Sequence, residues 1–496
     1  MGIFDKQELL QILHGFNPWW SDKSFKVPDF KRIAFNSCLA NLSNLHLQRA
    51  TLLSGPRRVG KTTILQQTAD HLIKSGQPPK SILYLSLDHP LLKLNRLEKI
   101  IELYHSEVHP EEKPATLLLD EVQYVKDWAT EIKLLVDFKP HLRILATGSA
   151  SVAQKHELAE SGVGRWDTIP IPTLSFYEFL RILGEPGPDI GVSAPIDLVY
   201  LTQAELGHIA QKSKTLLPWF KRYLLVGGFP ETAKLEDVSL GQRLLREDVV
   251  ERVLKRDMAS LFGVRHVDEM ERLFYYLCKH PGGILSKQTC AKELGVPANT
   301  VADYLGHLEQ ANLIYRLPPL STEGKQVLKA RNKYYLVDAA LRNAVLLKGE
   351  EILLRDEEMG LIVETTVMRH LYAYYYSKTP KFGYWRDSRT KKEVDIIVQR
   401  PDAEIPFEVK YRENPKITRK DGIIQYSLEK GIDRAYVVTK NIEDFGEIAF
   451  EEVTTQIFQI PAHILCYLLG SAETRTSSPQ PPKGSPKGFG LRPQFG

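Results

Sequence analysis

At 496 residues the chain is too long for a single hydrophobic core, and at about 150 residues per domain it predicts roughly three or four. Charged residues at 25% and hydrophobic residues at 43% exclude global disorder. A balance of 65 Lys and Arg against 61 Asp and Glu is too even to argue nucleic-acid binding, so any basic footprint has to be local.

Residues 1–45 predict an amphipathic helix over Lys6–Leu13, then Trp19-Trp20 and a basic approach through Lys31-Arg32. Adjacent tryptophans read first as a packing anchor, with a lid over a nucleotide base as the second reading. The N-terminus lacks a basic start followed by an apolar run, and no apolar stretch reaches bilayer-spanning length. Cys38, Cys278, Cys290 and Cys466 lack C-x-x-C spacing and predict buried thiols in a reducing compartment, so the cytoplasm is the expected location with no membrane partner.

Between residues 46 and 172, continuous apolar runs at Thr51–Leu53, Ile82–Leu87, Thr116–Leu119 and Leu142–Ala146 alternate with helical stretches. Runs that do not alternate in polarity predict strands buried on both faces, hence an α/β domain with a helix-covered parallel sheet. The first run leads into Gly55-Pro56-Arg57-Arg58-Val59-Gly60-Lys61-Thr62-Thr63, which fits G-x-x-x-x-G-K-(S/T) and opens a helix. Such a loop folds its backbone N–H groups around phosphate at a helix N-terminus, with Lys61 reaching the β- and γ-phosphates and Thr62 holding Mg²⁺. ATP and Mg²⁺ are therefore the expected ligands.

Leu117-Leu118-Leu119-Asp120-Glu121 places Asp120 at a strand end to support Mg²⁺ and Glu121 to polarise the attacking water. A strand-end capping pair is the other reading, and the upstream Lys61-Thr62 weakens it. Thr147-Gly148-Ser149 sets hydroxyls at the sheet edge, with Ser149 either a γ-phosphate sensor or a helix N-cap. Arg165 is a cation for the transition-state charge, in cis or from a neighbouring subunit, and Arg57 and Arg58 compete for that role.

Together with Leu174-Ser175-Phe176-Tyr177-Glu178-Phe179 and Gly227-Gly228-Phe229-Pro230-Glu231, these motifs resemble the archaeal and bacterial AAA-type P-loop ATPases that carry a C-terminal domain of poorly defined function. The resemblance spans about Asn17 to Leu468 and implies an ATP hydrolase, with oligomers open.

Residues 173–265 predict a helical lid and connector, ending in the charged amphipathic run Leu244–Asp257 with its charges on the solvated face. Residues 266–340 predict a winged helix: a capped helix Ser286–Leu294, a turn at Gly295, a second helix Asn299–Glu309, and two wing strands. On the DNA reading Asn299, Thr300 and Tyr304 face a major groove, while Lys325, Lys329, Arg331 and Lys333 meet phosphates. The same unit could instead dock on protein.

Residues 341–470 predict a smaller α/β domain in which strand spacing lets Asp395 and Glu408 converge on a hard divalent cation beside Lys410. That pattern resembles the PD-(D/E)XK nuclease core, which implies Glu364 as the helix acid and Gln425-Tyr426 on the following helix. A nuclease-like fold that binds without cutting remains the alternative. Residues 471–496, rich in Pro, Gly, Ser and Lys, are expected to be disordered.

Overall fold

The computed structural model describes residues 6–21, 25–44, 46–148, 164–192, 195–320, 331–378, 380–451 and 453–476. Five strands, β1 (Ala50–Ser54), β2 (Ile82–Ser86), β3 (Ala115–Asp120), β4 (Leu142–Gly148) and β5 (Trp166–Pro170), make one sheet in the order β2-β3-β4-β1-β5. Every pairing in it is parallel, and all six residues of β3 are buried, as unbroken apolar runs require. Because β4 lies between β1 and β3, the ends of all three open onto one crevice: Ser54 pairs with Gly148, and Ser86 with Asp120.

Trp19 and Trp20 donate their indole N–H groups to the carbonyl of Ile82, at 3.2 and 2.9 Å. Ile82 begins β2, so the pair sits at the amino edge of the sheet, away from the loop that follows β1. The tryptophans are core anchors, and the expectation of a lid over a base does not hold.

A second sheet, β6 (Gly283–Ile284), β7 (Ile314–Leu317) and β8 (Lys333–Leu336), is antiparallel in the order β6-β8-β7. Helices Val267–Lys279, Lys287–Leu294 and Ala298–Gln310 cover it.

The third sheet is mixed, in the order β13-β14-β12-β11-β10-β9, built from β9 (Lys381–Arg386), β10 (Glu393–Gln399), β11 (Glu404–Lys410), β12 (Arg434–Thr439), β13 (Gly446–Ile448) and β14 (Gln456–Pro461). β9, β10 and β11 are mutually antiparallel, whereas β11, β12 and β14 run parallel. Helices Asp356–Tyr376 and Ala462–Thr476 pack on one face and Gly422–Lys430 on the other.

Two large cores organise these layers. One joins the parallel sheet to the helical residues Leu245–Met258 and to the three-stranded unit. The other joins the helices between Leu174 and Val226 to the mixed sheet. The stretch 173–265 therefore divides its apolar faces between both. All four cysteines are buried and unbridged, and among the described residues no helix is long and apolar enough to cross a membrane.

Candidate functional site

The loop between β1 and the helix Lys61–Lys74 depends on two glycines. A Cβ on Gly55 would lie 2.1 Å from the carbonyl oxygen of Ile171, and Gly60 has φ 94°, which L side chains disfavour. Lys61 is buried and donates to the carbonyls of Gly55 (2.8 Å) and Pro56 (2.7 Å), inside the curl. Burial lowers the pKa of its ammonium, against the opposing charges of Glu121 and Asp120.

Across the crevice, Thr62 Oγ1 donates to Asp120 Oδ2 at 2.7 Å, joining groups 58 residues apart in sequence. The Tyr84 hydroxyl donates to the same oxygen at 3.1 Å, and Thr147 Oγ1 donates to Asp120 Oδ1. Burial, then the charge of Glu121, raises the Asp120 pKa, while the bonds from Thr147 and Thr62 oppose the rise. Only hydroxyls donate to these two oxygens, so the carboxyl group is held in place by neutral partners.

Glu121 adopts φ 56°, a conformation that costs a non-glycine residue on the order of 1 kcal/mol. Its N–H donates to Thr147 Oγ1 at 3.0 Å, and its carboxylate accepts from Gln123 Nε2. Thr147 thus ties Asp120 and Glu121 together. Ser149, expected as either a γ-phosphate sensor or a helix N-cap, lies outside the described residues. Tyr84, a lone phenol in a buried run, was missed.

The three candidate arginines separate. Arg165 lies just before β5, and its carbonyl pairs with Ala50 N–H at the start of β1. That is the amino edge, about 13 Å of strand from the loop at about 3.3 Å per residue. Its guanidinium pairs with Asp137 at 2.8 Å and is 43% exposed, so Arg165 does not serve the site in cis. Arg58, φ 64°, reaches out to Asp248 (2.8 Å) and Glu231 (3.2 Å).

Arg57 turns inward: Nε and Nη2 clamp Asp257 at 2.7 and 2.8 Å, and Nη2 also donates to the Tyr124 hydroxyl at 2.6 Å. Asp257 is 1% exposed, which overturns the expectation that the charges of this run face solvent. Below the loop, buried Arg32 donates to the Val59 carbonyl at 2.7 Å, to the Pro172 carbonyl at 2.9 Å and to both carboxylate oxygens of Glu178. Glu178 also completes a capping box with Ser175. No local pattern in the sequence signalled the bonds of Arg32 and Arg57, whose partners lie between 27 and 200 positions apart.

In the mixed sheet Asp395 and Glu408 do stand on adjacent strands, one step beyond the Ile396–Phe407 pair. They nevertheless take different cations. Glu408 pairs with Lys410 at 2.9 Å, as side chains sharing one strand face should, and accepts from Ile423 N–H at 3.3 Å. Asp395 accepts from Val409 N–H at 2.9 Å and lies 3.4 Å from the ammonium of Lys333.

Lys333 comes from β8, its side chain only 2% exposed, and it also meets Glu393 and, at 3.7 Å, Glu364. Glu364 accepts a 2.5 Å bond from the Tyr335 hydroxyl, two residues along the same strand. Burial, then the charge of Asp395, pushes the Glu364 pKa up to about 8, and burial pushes that of Glu408 up to about 7.

Among the described residues no three His, Cys, Asp or Glu side chains are arranged to hold a metal ion. The expected convergence of Asp395, Glu408 and Glu364 on a divalent cation is replaced by two lysine-neutralised groups.

Two further expectations fall with this geometry. Lys333 is buried in an acidic cluster and cannot meet DNA phosphates from where it stands. Tyr304 is buried, its hydroxyl donating to the His266 carbonyl at 3.2 Å, so it does not face a groove. Asn299 and Arg331 are exposed and Thr300 is partly so, while Lys325 and Lys329 lie outside the described residues. Tyr426 is buried, its hydroxyl donating to Glu404 at 2.9 Å.

Residues 47–180 match the model of an AAA domain, and residues 217–351 and 359–459 each match a domain of unknown function. An uncharacterized protein of Haemophilus influenzae is 27% identical over 372 residues, covering 72% of this chain and 82% of its own. One of Methanocaldococcus jannaschii is 26% identical over 345 residues, covering 67% and 70%. The Thermotoga maritima RuvB Holliday junction branch migration motor aligns over 57% of this chain and 88% of its own, at 17% identity and a TM-score of 0.26. Residues 47–180 form an AAA-type P-loop domain, of a kind built to bind nucleotide.

Proposed function

We propose that the protein binds and hydrolyses ATP with Mg²⁺ and uses the nucleotide state to move its three-stranded unit and mixed-sheet domain. The observation that carries this reading is the 2.7 Å bond from Thr62 to Asp120, which unites the phosphate loop with the acidic strand end. Lys61 neutralises the β- and γ-phosphates, and Thr62 and Asp120 hold the metal, which when bound offsets charge on the phosphate oxygens. Glu121 orients and deprotonates the attacking water, with its backbone set by Thr147. Of the three candidate arginines, Arg57 is the one that feels the charge of Glu121. Arg165 is left a role only toward a neighbouring subunit, in an oligomer.

Helices Val267–Lys279, Lys287–Leu294 and Ala298–Gln310 with the β6-β8-β7 sheet have the element order of a winged helix, and DNA is its proposed partner, met through Asn299, Thr300 and Arg331. The mixed-sheet domain is proposed as nuclease-like. A second reading, in which it binds without cutting, is favoured by Lys333 sitting among Glu364, Glu393 and Asp395.

ATP turnover by the purified full chain, with and without DNA, tests the first reading. Lys61→Ala is expected to abolish turnover, and hydrolysis at the wild-type rate would overturn the assignment. Metal-dependent cutting lost in Asp395→Ala would reject the second reading.

A further inference from the structure

We infer that Arg57 exchanges Asp257 for the γ-phosphate of a bound nucleoside triphosphate, which makes Asp257 and Tyr124 positioning residues of the phosphate site. This rests on reading residues 55–63 as a nucleotide loop, and it assigns the helical segment Leu245–Asp257 as the element that reports whether a third phosphate is present.

Arg57 lies between the two loop glycines, with 10% of its side chain exposed against 44% for Arg58. The charge of Glu121 acts on Arg57, and the charges of Arg57 and Asp257 both act on Lys61, so these groups share one electrostatic neighbourhood. A cation held there faces a choice between a carboxylate and a phosphate. The bonds to Asp257 use Nε and Nη2 of a guanidinium with five N–H donors, which leaves Nη1 outside the clamp.

Breaking a buried ion pair normally strands an uncompensated charge, and that is what makes most such pairs permanent. Here the Tyr124 hydroxyl accepts from Arg57 and donates to Asp257 Oδ1 at 3.2 Å. When Arg57 leaves, Asp257 keeps that one neutral donor, and the loss of its counter-charge is what loosens the segment that carries it. Tyr124 stands three positions after Glu121, on the turn Val122–Tyr124, so the same hydroxyl couples the exchange to the strand end that carries the water-activating acid.

Asp257 ends a thirteen-residue run of π-helical turns, Leu245–Asp257. Such turns are rare at this length. The run holds Leu245, Val249, Val250, Val253 and Leu254 in the core shared with the parallel sheet and the three-stranded unit. Beyond Asp257 the chain continues through Met258–Phe262 into Val267–Lys279, the first helix of that unit. Arg58 grips the same run at Asp248, on the surface, where an ion pair contributes little. The buried pair at Asp257 is therefore the contact whose loss frees the segment.

A ligand shifts such an equilibrium only through its different affinities for the two arrangements, so the test compares a triphosphate with a diphosphate. Affinities of the full chain for ADP and for a non-hydrolysable ATP analogue are measured in wild type, Asp257→Asn, Arg57→Gln and the double variant. Removing the competing carboxylate is expected to raise the analogue-to-ADP affinity ratio on the order of tenfold, and Arg57→Gln to lower it by a similar factor.

In the double variant, which removes both buried charges and so keeps the fold if Asp257→Asn does not, the ratio is expected to match that of Arg57→Gln. The analogue, and not ADP, should also speed amide exchange across Leu245–Phe262 in wild type. Equal shifts for both nucleotides in Arg57→Gln and Asp257→Asn, or a ratio in the double variant equal to wild type, would overturn the exchange. Wild-type nucleotide affinity in Lys61→Ala would instead remove the nucleotide site itself.

Discussion

Asp120 and Asp395 are both aspartates on strands of an acidic cluster, yet their surroundings leave them in opposite states of readiness. Asp120 is held by the hydroxyls of Thr62, Thr147 and Tyr84, none of which cancels its charge. Asp395 shares the ammonium of Lys333 with Glu364 and Glu393. Neutral donors orient a carboxylate and leave it able to take a cation, whereas a buried lysine neutralises the group from within. Carboxylates at plausible spacing therefore do not make a metal site until their counter-ions are known.

The largest effect expected from this contrast is at Asp120. Asp120→Asn keeps the side chain's shape, removes the charge and leaves one oxygen to accept from the hydroxyls, and steady-state turnover should fall by a factor on the order of a thousand if the carboxylate supports the metal. Turnover within a few-fold of wild type would erase the distinction between the clusters.

Next comes Lys333→Met, which leaves Asp395, Glu393 and Glu364 without their shared cation and should destabilise the folded chain by about 3–5 kcal/mol, read by denaturant unfolding. Mn²⁺ should recover part of that loss in the variant and leave wild type unmoved. Equal Mn²⁺ stabilisation of both would mean that Lys333 does not hold the cation position.

A smaller effect is written in the titration of Glu364. Its folded value, pushed up to about 8, exceeds the unfolded carboxylate value of roughly 4.3, so the folded chain retains a proton that the unfolded chain releases. The associated stability is complete below about pH 4.3 and is lost as pH rises through about 8. Unfolding measured across that window should show a negative slope, which Glu364→Gln flattens. The least effect belongs to Arg165→Ala: turnover of dilute protein should stay within twofold and stability within about 0.5 kcal/mol, as befits a half-exposed surface pair.

Much of the parallel sheet was legible because its signals are local. Apolar runs that do not alternate required burial on both faces, and the two glycines with Lys61 and Thr62 announced a loop that must curl. The β10–β11 pairing and the shared face of Glu408 and Lys410 followed from strand periodicity. That same periodicity misassigned Asp257 and Lys333, since charge in a helix or wing strand reads by default as solvated. Tyr304 failed likewise, as a polar tip does not reveal that its ring is core.

What the sequence by itself determined is chemistry that sits within a few residues: a phosphate loop, an acidic strand end and two strands carrying carboxylates. Only the tertiary structure decided which cation each carboxylate meets. Arg57 finds Asp257 across 200 positions, and Arg32 finds Glu178 across 146. Periodicity says which face of an element is buried and is silent about what packs against it. Charge compensation, which depends on distances of about 3–4 Å between remote segments, can be read only once the chain has folded.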